Sequence, residues 1–218
     1  MLAENKEKTI LHLCADIGSD SMPYRKAGYN VICIGKNIGL ENYEPPENVY
    51  GIISNPPCTM FTFCRTKAKK PRDLNEGLYL VKHCQRIIWT CQTRIINDNQ
   101  KYSPLKFWVL ENPFFGMLKW FLGKPALVYD PWEYGEQYQK RTALWGMFNE
   151  PKKIYTKKED ILTKEQIEKH KTNSQSLLKF DMMKTKDIAP DYYGKLTRQD
   201  RRSICSEKFA QAFYEANK

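Results

Sequence analysis

Four short apolar runs, each breaking off into a polar or proline-bearing turn, limit the folds open to this chain. They are Thr9 to Cys14 (TILHLC), Val31 to Ile34 (VICI), Tyr50 to Ser54 (YGIIS) and Lys106 to Leu110 (KFWVL). Runs of this length bounded by turn residues read as buried strands. Helical patterns alternate with them. Pro23 suits the first turn of a short helix that stops at Gly28. From about Leu74 to Ile96, the residues Leu78, Val81, Cys84, Ile87, Ile88, Cys91 and Ile95 recur on one helical face. Strands alternating with helices predict an α/β fold, with a mostly parallel sheet and helices on both of its faces.

After the fourth run the pattern changes. Leu127 to Tyr129 and Thr142 to Phe148 read as the arms of a terminal hairpin around Trp132-Glu133-Tyr134-Gly135. A last helix, from about Ser206 to Ala216, sets Phe209, Ala212, Phe213 and Ala216 on one face for packing back on the sheet. The stretch between is charged and weakly periodic. The chain thus divides into an α/β core over residues 1–151, a charged insertion or accessory segment over 152–202 and a closing helix over 203–218. Residues 152–218 hold 16 basic and 10 acidic side chains, so this part reads either as a solvated insertion or as a basic arm for phosphates.

The net charge of +10 over 218 residues points to a polyanionic partner, DNA or a nucleotide. No apolar run is long enough to span a membrane, and the leader MLAENKEKT is charged where a signal peptide would be apolar. Seven cysteines without a CxxC pair fit a reducing, cytoplasmic setting. His12, His83 and His170 are too scattered for a histidine metal site, and no metal is expected.

In an open parallel sheet, ligands bind beyond the carboxyl ends of the strands. Three turns sit at such ends: Asp16 to Ser21, Asn55-Pro56-Pro57-Cys58 and Glu111-Asn112-Pro113. Taken singly, Cys58 reads as a structural thiol in a rigid loop and Glu111 as a cap or ion-pair partner. Together they predict a thiol and a carboxylate in one crevice. Two prolines stiffen the backbone that presents Cys58.

In order and spacing these segments resemble the DNA (cytosine-5)-methyltransferase family, and small phage-type members in particular. Leu11-His12-Leu13-Cys14-Ala15-Asp16-Ile17-Gly18-Ser19, with Ala27-Gly28-Tyr29, is similar to the family's first cofactor motif. Asn55-Pro56-Pro57-Cys58 looks like its nucleophile loop, and Glu111-Asn112 like its Glu-Asn motif. Tyr134 to Thr142, which contains Lys140 and Arg141, looks like its Gln-Tyr-Gly…Arg segment. Arg202-Ser203-Ile204 to Phe213 sits where the family's closing helix returns to the cofactor. The resemblance covers roughly residues 9–150 and the last 20.

The resemblance implies a Rossmann-like methyltransferase fold and methyl transfer from S-adenosylmethionine to cytosine C5, in DNA (single-stranded DNA included) or in a cytosine nucleotide. It implies Cys58, Glu111 and Arg141 as catalytic residues. Asp16, Gly18, Ser19, Asp20, Ser21, Asn37, Asn55 and Pro56 would bind the cofactor. Asn112, Lys140 and Arg65 would contact the substrate, with Lys140 as an alternative to Arg141. A neighbouring cation, Arg141 or Arg65, would favour the thiolate.

Three features depart from the family pattern. The turn Asp16 to Ser21 has one glycine and two acids. The second strand runs into Gly35-Lys36-Asn37, where the family has an acid for the cofactor ribose, and Lys36 cannot accept a hydrogen bond. Lys152 to Arg202 is too short and polar for a large target-recognition domain, which leaves room for a partner subunit, a single-stranded substrate or a free nucleotide. Two other readings stay open. One is a catalytically silent scaffold that binds a nucleotide or nucleic acid. The other is amino-group methylation through Asn55: Asn-Pro-Pro followed by an aromatic marks amino-methyltransferases, and here Cys58 replaces the aromatic, with Phe61 and Phe63 shortly after.

Overall fold

The computed structural model describes residues 2–15, 17–96, 101–102, 104–165, 168, 177–180 and 183–218. Six strands form one sheet: β1 (Thr9–Leu13), β2 (Asn30–Ile34), β3 (Val49–Ser54), β4 (Phe107–Pro113), β5 (Leu127–Tyr129) and β6 (Thr142–Met147), in the order β2-β1-β3-β4-β6-β5. Strands β2, β1, β3 and β4 run parallel, β6 is antiparallel to β4, and β5 is antiparallel to β6. The sheet is therefore mixed rather than mostly parallel, which corrects the expectation from the sequence. A parallel neighbour for β4 would need a long crossover. Instead the chain passes to the sheet edge as β5, turns through Pro131–Tyr134 and comes back between β5 and β4. The hairpin anticipated from Leu127 and Thr142 is present, with Leu127 opposite Leu144 and Tyr129 opposite Thr142.

Alternation along the strands assigns a side chain to each face. Leu11, Leu13, Ile52 and Leu110 point to one side, where the helix α2 (Leu74–Thr93) covers them with Val81, Cys84, Ile87, Ile88 and Cys91. Ile10, Ile53, Val109 and Leu144 point to the other, packed against Tyr24 of α1 (Met22–Lys26) and against Phe209 and Phe213 of α3 (Glu207–Asn217). Helices thus cover both faces. Asp73 caps α2 by accepting from the Glu76 amide at 3.0 Å. The helix ends at Thr93, short of Ile96, because Arg94 turns extended and donates to the Pro45 carbonyl at 3.0 Å. The β-branched pair Ile95–Ile96 then forms a two-residue strand.

Strand β4 runs three residues beyond Leu110. Pairing of Glu111 with Leu144 and of Asn112 with Ala143 keeps both residues inside the sheet rather than in a turn. That pairing needs a close approach of β6. A Cβ at Gly146, whose φ is +153°, would lie 2.1 Å from the Trp108 carbonyl oxygen.

The described part of 152–202 packs through two small clusters around the hairpin turn. Leu162 and Leu177 meet Trp132, while Phe180 and Ala189 join Ile204 and Tyr138. No helix among the described residues is long and apolar enough to cross a membrane.

Candidate active site

Register brings two turns and the extension of β4 together. Leu13 pairs with Ser54, and Ser54 with Leu110, so Cys14, Asn55 and Glu111 all follow residues at one level of the sheet. Asn112 then ties the strand to one of these turns: its amide nitrogen donates to the Pro56 carbonyl at 2.9 Å, joining β4 to the loop that carries Cys58. The first loop doubles back through two left-handed residues, Cys14 (φ +58°) and Gly18 (φ +73°). Ser19 Oγ accepts from the Cys205 amide at 3.0 Å, which fastens this loop to the approach of α3. Asp16 lies outside the described residues.

Asp20 and Glu111 line a small pocket, with room for about one water molecule, together with Ile53, Leu144, Cys205 and Phe209. Its walls are apolar apart from these two carboxyls and the thiol. Burial raises the Glu111 carboxyl above its ordinary range, and Asp20 adds to the rise. Lys140 and the hydrogen bond from Asn55 oppose it. Cys58 is pushed up to about 11, first by burial and then by the Glu111 carboxylate, with Lys140 and Arg202 acting the other way. The thiol therefore senses the carboxyl, and both groups hold a proton more tightly than in water.

Lys140 is the cation that bears on both groups. Its Nζ donates to the Ile204 carbonyl at 2.6 Å, and its backbone amide donates to Asp130 at 3.0 Å. Arg141 is exposed, with its guanidinium 4.9 Å from the Phe114 ring centre. Arg65 is half-buried, and its Nε has no hydrogen-bond partner among the described residues. Asn37 is exposed in the turn after β2. The chain matches no family model and no curated protein. Its function must be read from its own residues.

The residue that spacing arguments passed over is His12. It is the one ring nitrogen donor in the run TILHLC and is 1% exposed. Its Nδ1 lies 2.8 Å from Ser21 Oγ and its Nε2 2.7 Å from Asn55 Oδ1. Ser21 Oγ gives its proton to the Gly18 carbonyl at 3.2 Å, so it accepts from Nδ1. The Asn55 amide nitrogen donates to Asp20 Oδ1 and Glu111 Oε2, both at 3.3 Å, so its oxygen accepts from Nε2. Both ring nitrogens then face acceptors, an arrangement that favours the imidazolium, and Nε2 lies 4.0 Å from Asp20. Burial opposes this charge, but contacts with Cys33, Asp20 and Asn55 outweigh it and raise the pKa above 6.5. The readable signal was a polar residue in the middle of an apolar strand.

Cys33 is a second omission. Its thiol is lowered by its cross-strand neighbour His12 and by Arg25, whose Nη2 donates to the sulfur at 3.3 Å.

Replacing His12 by leucine strips the partner from Asp20 and from Asn55 Oδ1 inside the fold. The expected loss is about 3–5 kcal/mol of folding stability, read by urea unfolding. A raised histidine pKa means that the charged ring stabilises fully below 6.5, and that this contribution disappears as pH climbs through the folded-state value. Glu111, also raised, acts with the same sign in a more acidic window, above 4.5. The wild-type urea midpoint should fall with pH above about 6.5, and the His12→Leu midpoint should stay flatter there. Equal slopes for the two proteins would exclude a charged His12.

Proposed function

We propose that this chain is an S-adenosylmethionine-dependent methyltransferase of Rossmann-like architecture that acts on cytosine C5, in DNA, single-stranded DNA included, or in a cytosine nucleotide. The observation that carries this reading is the 2.9 Å bond from Asn112 to the Pro56 carbonyl, which ties the loop of Cys58 to the strand of Glu111, beside a pocket lined by two carboxyls. The strand order, four parallel strands followed by an antiparallel one inserted next to β4, supports the architecture.

Cytosine C5 is a poor nucleophile. In this reading the Cys58 sulfur, as thiolate, forms a bond to C6, and electron density moves to C5 and N3. Glu111, whose proton affinity is raised, gives its proton to N3 and so removes the charge that the thiolate brings. S-adenosylmethionine, when bound, supplies an electrophilic methyl group for C5. Loss of the C5 proton to water and departure of the sulfur from C6 as thiolate, with the N3 proton returning to Glu111, then restore the aromatic ring.

The residues at the cavity suit that cofactor in charge. Asp20 would face the cationic end of the cofactor, and Ser19 and Gly18 shape the loop above it. Asn37 and the exposed Ile38 would meet the ribose and adenine side. Seven free thiols support a reducing cytosol as the setting.

A second reading, a silent binder on the same scaffold, is favoured by one observation: the thiol at about 11 is almost wholly protonated at neutral pH. Amino-group methylation is disfavoured because Asn55 is already committed to His12, Asp20 and Glu111. The test is transfer of labelled methyl from S-adenosylmethionine to duplex DNA, single-stranded DNA, RNA and free dCMP. 5-methylcytosine in any product supports the reading, and N4-methylcytosine would transfer it to the amino chemistry. No label on any acceptor, with no heat of cofactor binding, would favour the silent scaffold.

A further inference from the structure

Next to Cys58 the surface carries an aromatic platform with a basic border. Phe63, Phe115 and Trp120 are 46%, 55% and 64% exposed, unusual for large rings so close together. They belong to two segments that are stitched to each other. The Phe63 amide donates to the Phe115 carbonyl at 3.2 Å, the Met117 amide donates to the Phe61 carbonyl at 3.0 Å, and Thr62 bridges to Gly116. The Phe63 and Trp120 rings stand 6.0 Å apart. Arg72 fixes the first segment by donating to the Met60 and Thr62 carbonyls. The platform is therefore built on backbone ties, not on a loose loop. Amides of Phe61 and Thr62 donate to the Cys58 carbonyl, so it begins one turn away from the candidate nucleophile.

Charge follows the rings. Residues 57–72 and 113–126 together contain seven basic and no acidic side chains, with Lys67, Lys69 and Lys124 exposed. Arg65 belongs to the first of these segments, and the Arg141 guanidinium stacks on Phe114, the neighbour of Phe115 in the second. Rings with open faces accept unpaired bases, while a basic rim accepts the phosphates that link them. A duplex keeps its bases stacked on each other. The helix here, Lys119–Leu122, has one turn and is too short to enter a major groove.

We infer that this surface is a docking platform for single-stranded DNA, with successive bases on Phe63, Trp120 and Phe115 and phosphates along Arg65, Lys67, Lys69 and Lys124. This rests on the functional reading above for DNA as the polymer, and it deepens that reading by making a strand, rather than a free nucleotide, the substrate.

The experiment uses the whole chain and a fluorescein-labelled oligothymidylate of about 20 nucleotides, which has no cytosine and so tests the platform apart from the catalytic site. Binding is expected to weaken with salt and to quench tryptophan fluorescence. The double variant Phe63→Ala/Trp120→Ala should lose about tenfold or more in affinity, with the thermal midpoint retained because both rings face solvent. Lys67→Ala/Lys69→Ala should flatten the plot of log affinity against log salt by about 1.4. Tighter binding of the oligothymidylate–oligodeoxyadenylate duplex, or unchanged affinity in the ring variant, would overturn the platform. So would a ring variant that only converts a dimer to a monomer, since the patch would then join two copies of this chain. Oligothymidylate binding without cytosine methylation would leave the platform and remove the catalytic reading. Methylation of dCMP without oligothymidylate binding would do the reverse.

Discussion

Cys58→Ser is expected to lose methyl transfer on every cytosine acceptor by a factor on the order of 10⁴ or more, with the affinity for S-adenosylmethionine nearly unchanged. Serine preserves the shape of the side chain but not its chemistry: a hydroxyl has no accessible anion at neutral pH to add at C6. Cofactor binding should persist because the cavity beside Asp20 and Glu111 is walled by Ile53, Leu144 and Phe209, not by Cys58. With the thiol at about 11, its thiolate fraction rises tenfold per pH unit through the neutral range. The wild-type rate should follow that slope until a bound substrate draws off the charge. Labelled transfer across a pH series, with calorimetry for the cofactor, measures both quantities. A serine variant at the wild-type rate would remove Cys58 from the mechanism.

Glu111→Gln should move two observables in opposite directions. Methyl transfer should fall by about 10²–10⁴, because the amide cannot deliver a proton to N3 as the carboxyl does. Alkylation of Cys58 by iodoacetamide should become faster at fixed pH, because the carboxylate that helps hold the thiol up at about 11 is gone while Lys140 and Arg202 remain. Peptide mapping separates Cys58 from the exposed Cys64 and the Arg25-bonded Cys33. A pH profile separates a lowered thiol midpoint from simple loosening of the fold, which would raise the rate at every pH alike. An unshifted midpoint would remove the influence of Glu111 on the thiol, and transfer at the wild-type rate would remove its proton from the mechanism.

The strands were legible in the sequence because each combined apolar residues with a sharp turn signal: Thr9 to Leu13 before its acidic loop, Val49 to Ser54 before Asn55-Pro56. The direction of Thr142–Met147 was legible only as part of a hairpin. That hairpin packs β6 against β4, and no local pattern announces which strand a hairpin arm will join. For the same reason Glu111 and Asn112 read as a turn, although pairing with Leu144 and Ala143 holds them in the sheet. The site was half visible. Cys58 and Glu111 carry chemistry in their own side chains and stand at strand ends, which spacing detects. His12 owes its role to Ser21 and Asn55, which lie 9 and 43 positions away, and only the fold supplies that company. The same holds for Lys140, which reaches Ile204 across 64 positions.

The bond between Ser19 and the Cys205 amide joins positions 186 residues apart, and this has a consequence for birth on the ribosome. All four parallel strands exist once residue 113 has emerged, yet α3 begins only at Glu207. At ordinary synthesis rates that interval lasts on the order of 5–20 s. Throughout it, Ile53, Phe107 and Val109 lack the Phe209 and Phe213 that later cover them. The nascent chain passes through a stage with one sheet face dressed by α2 and the other largely bare. Any holdase that attends this protein should engage it in that window, and α3 ends the window in the same step that completes the cavity.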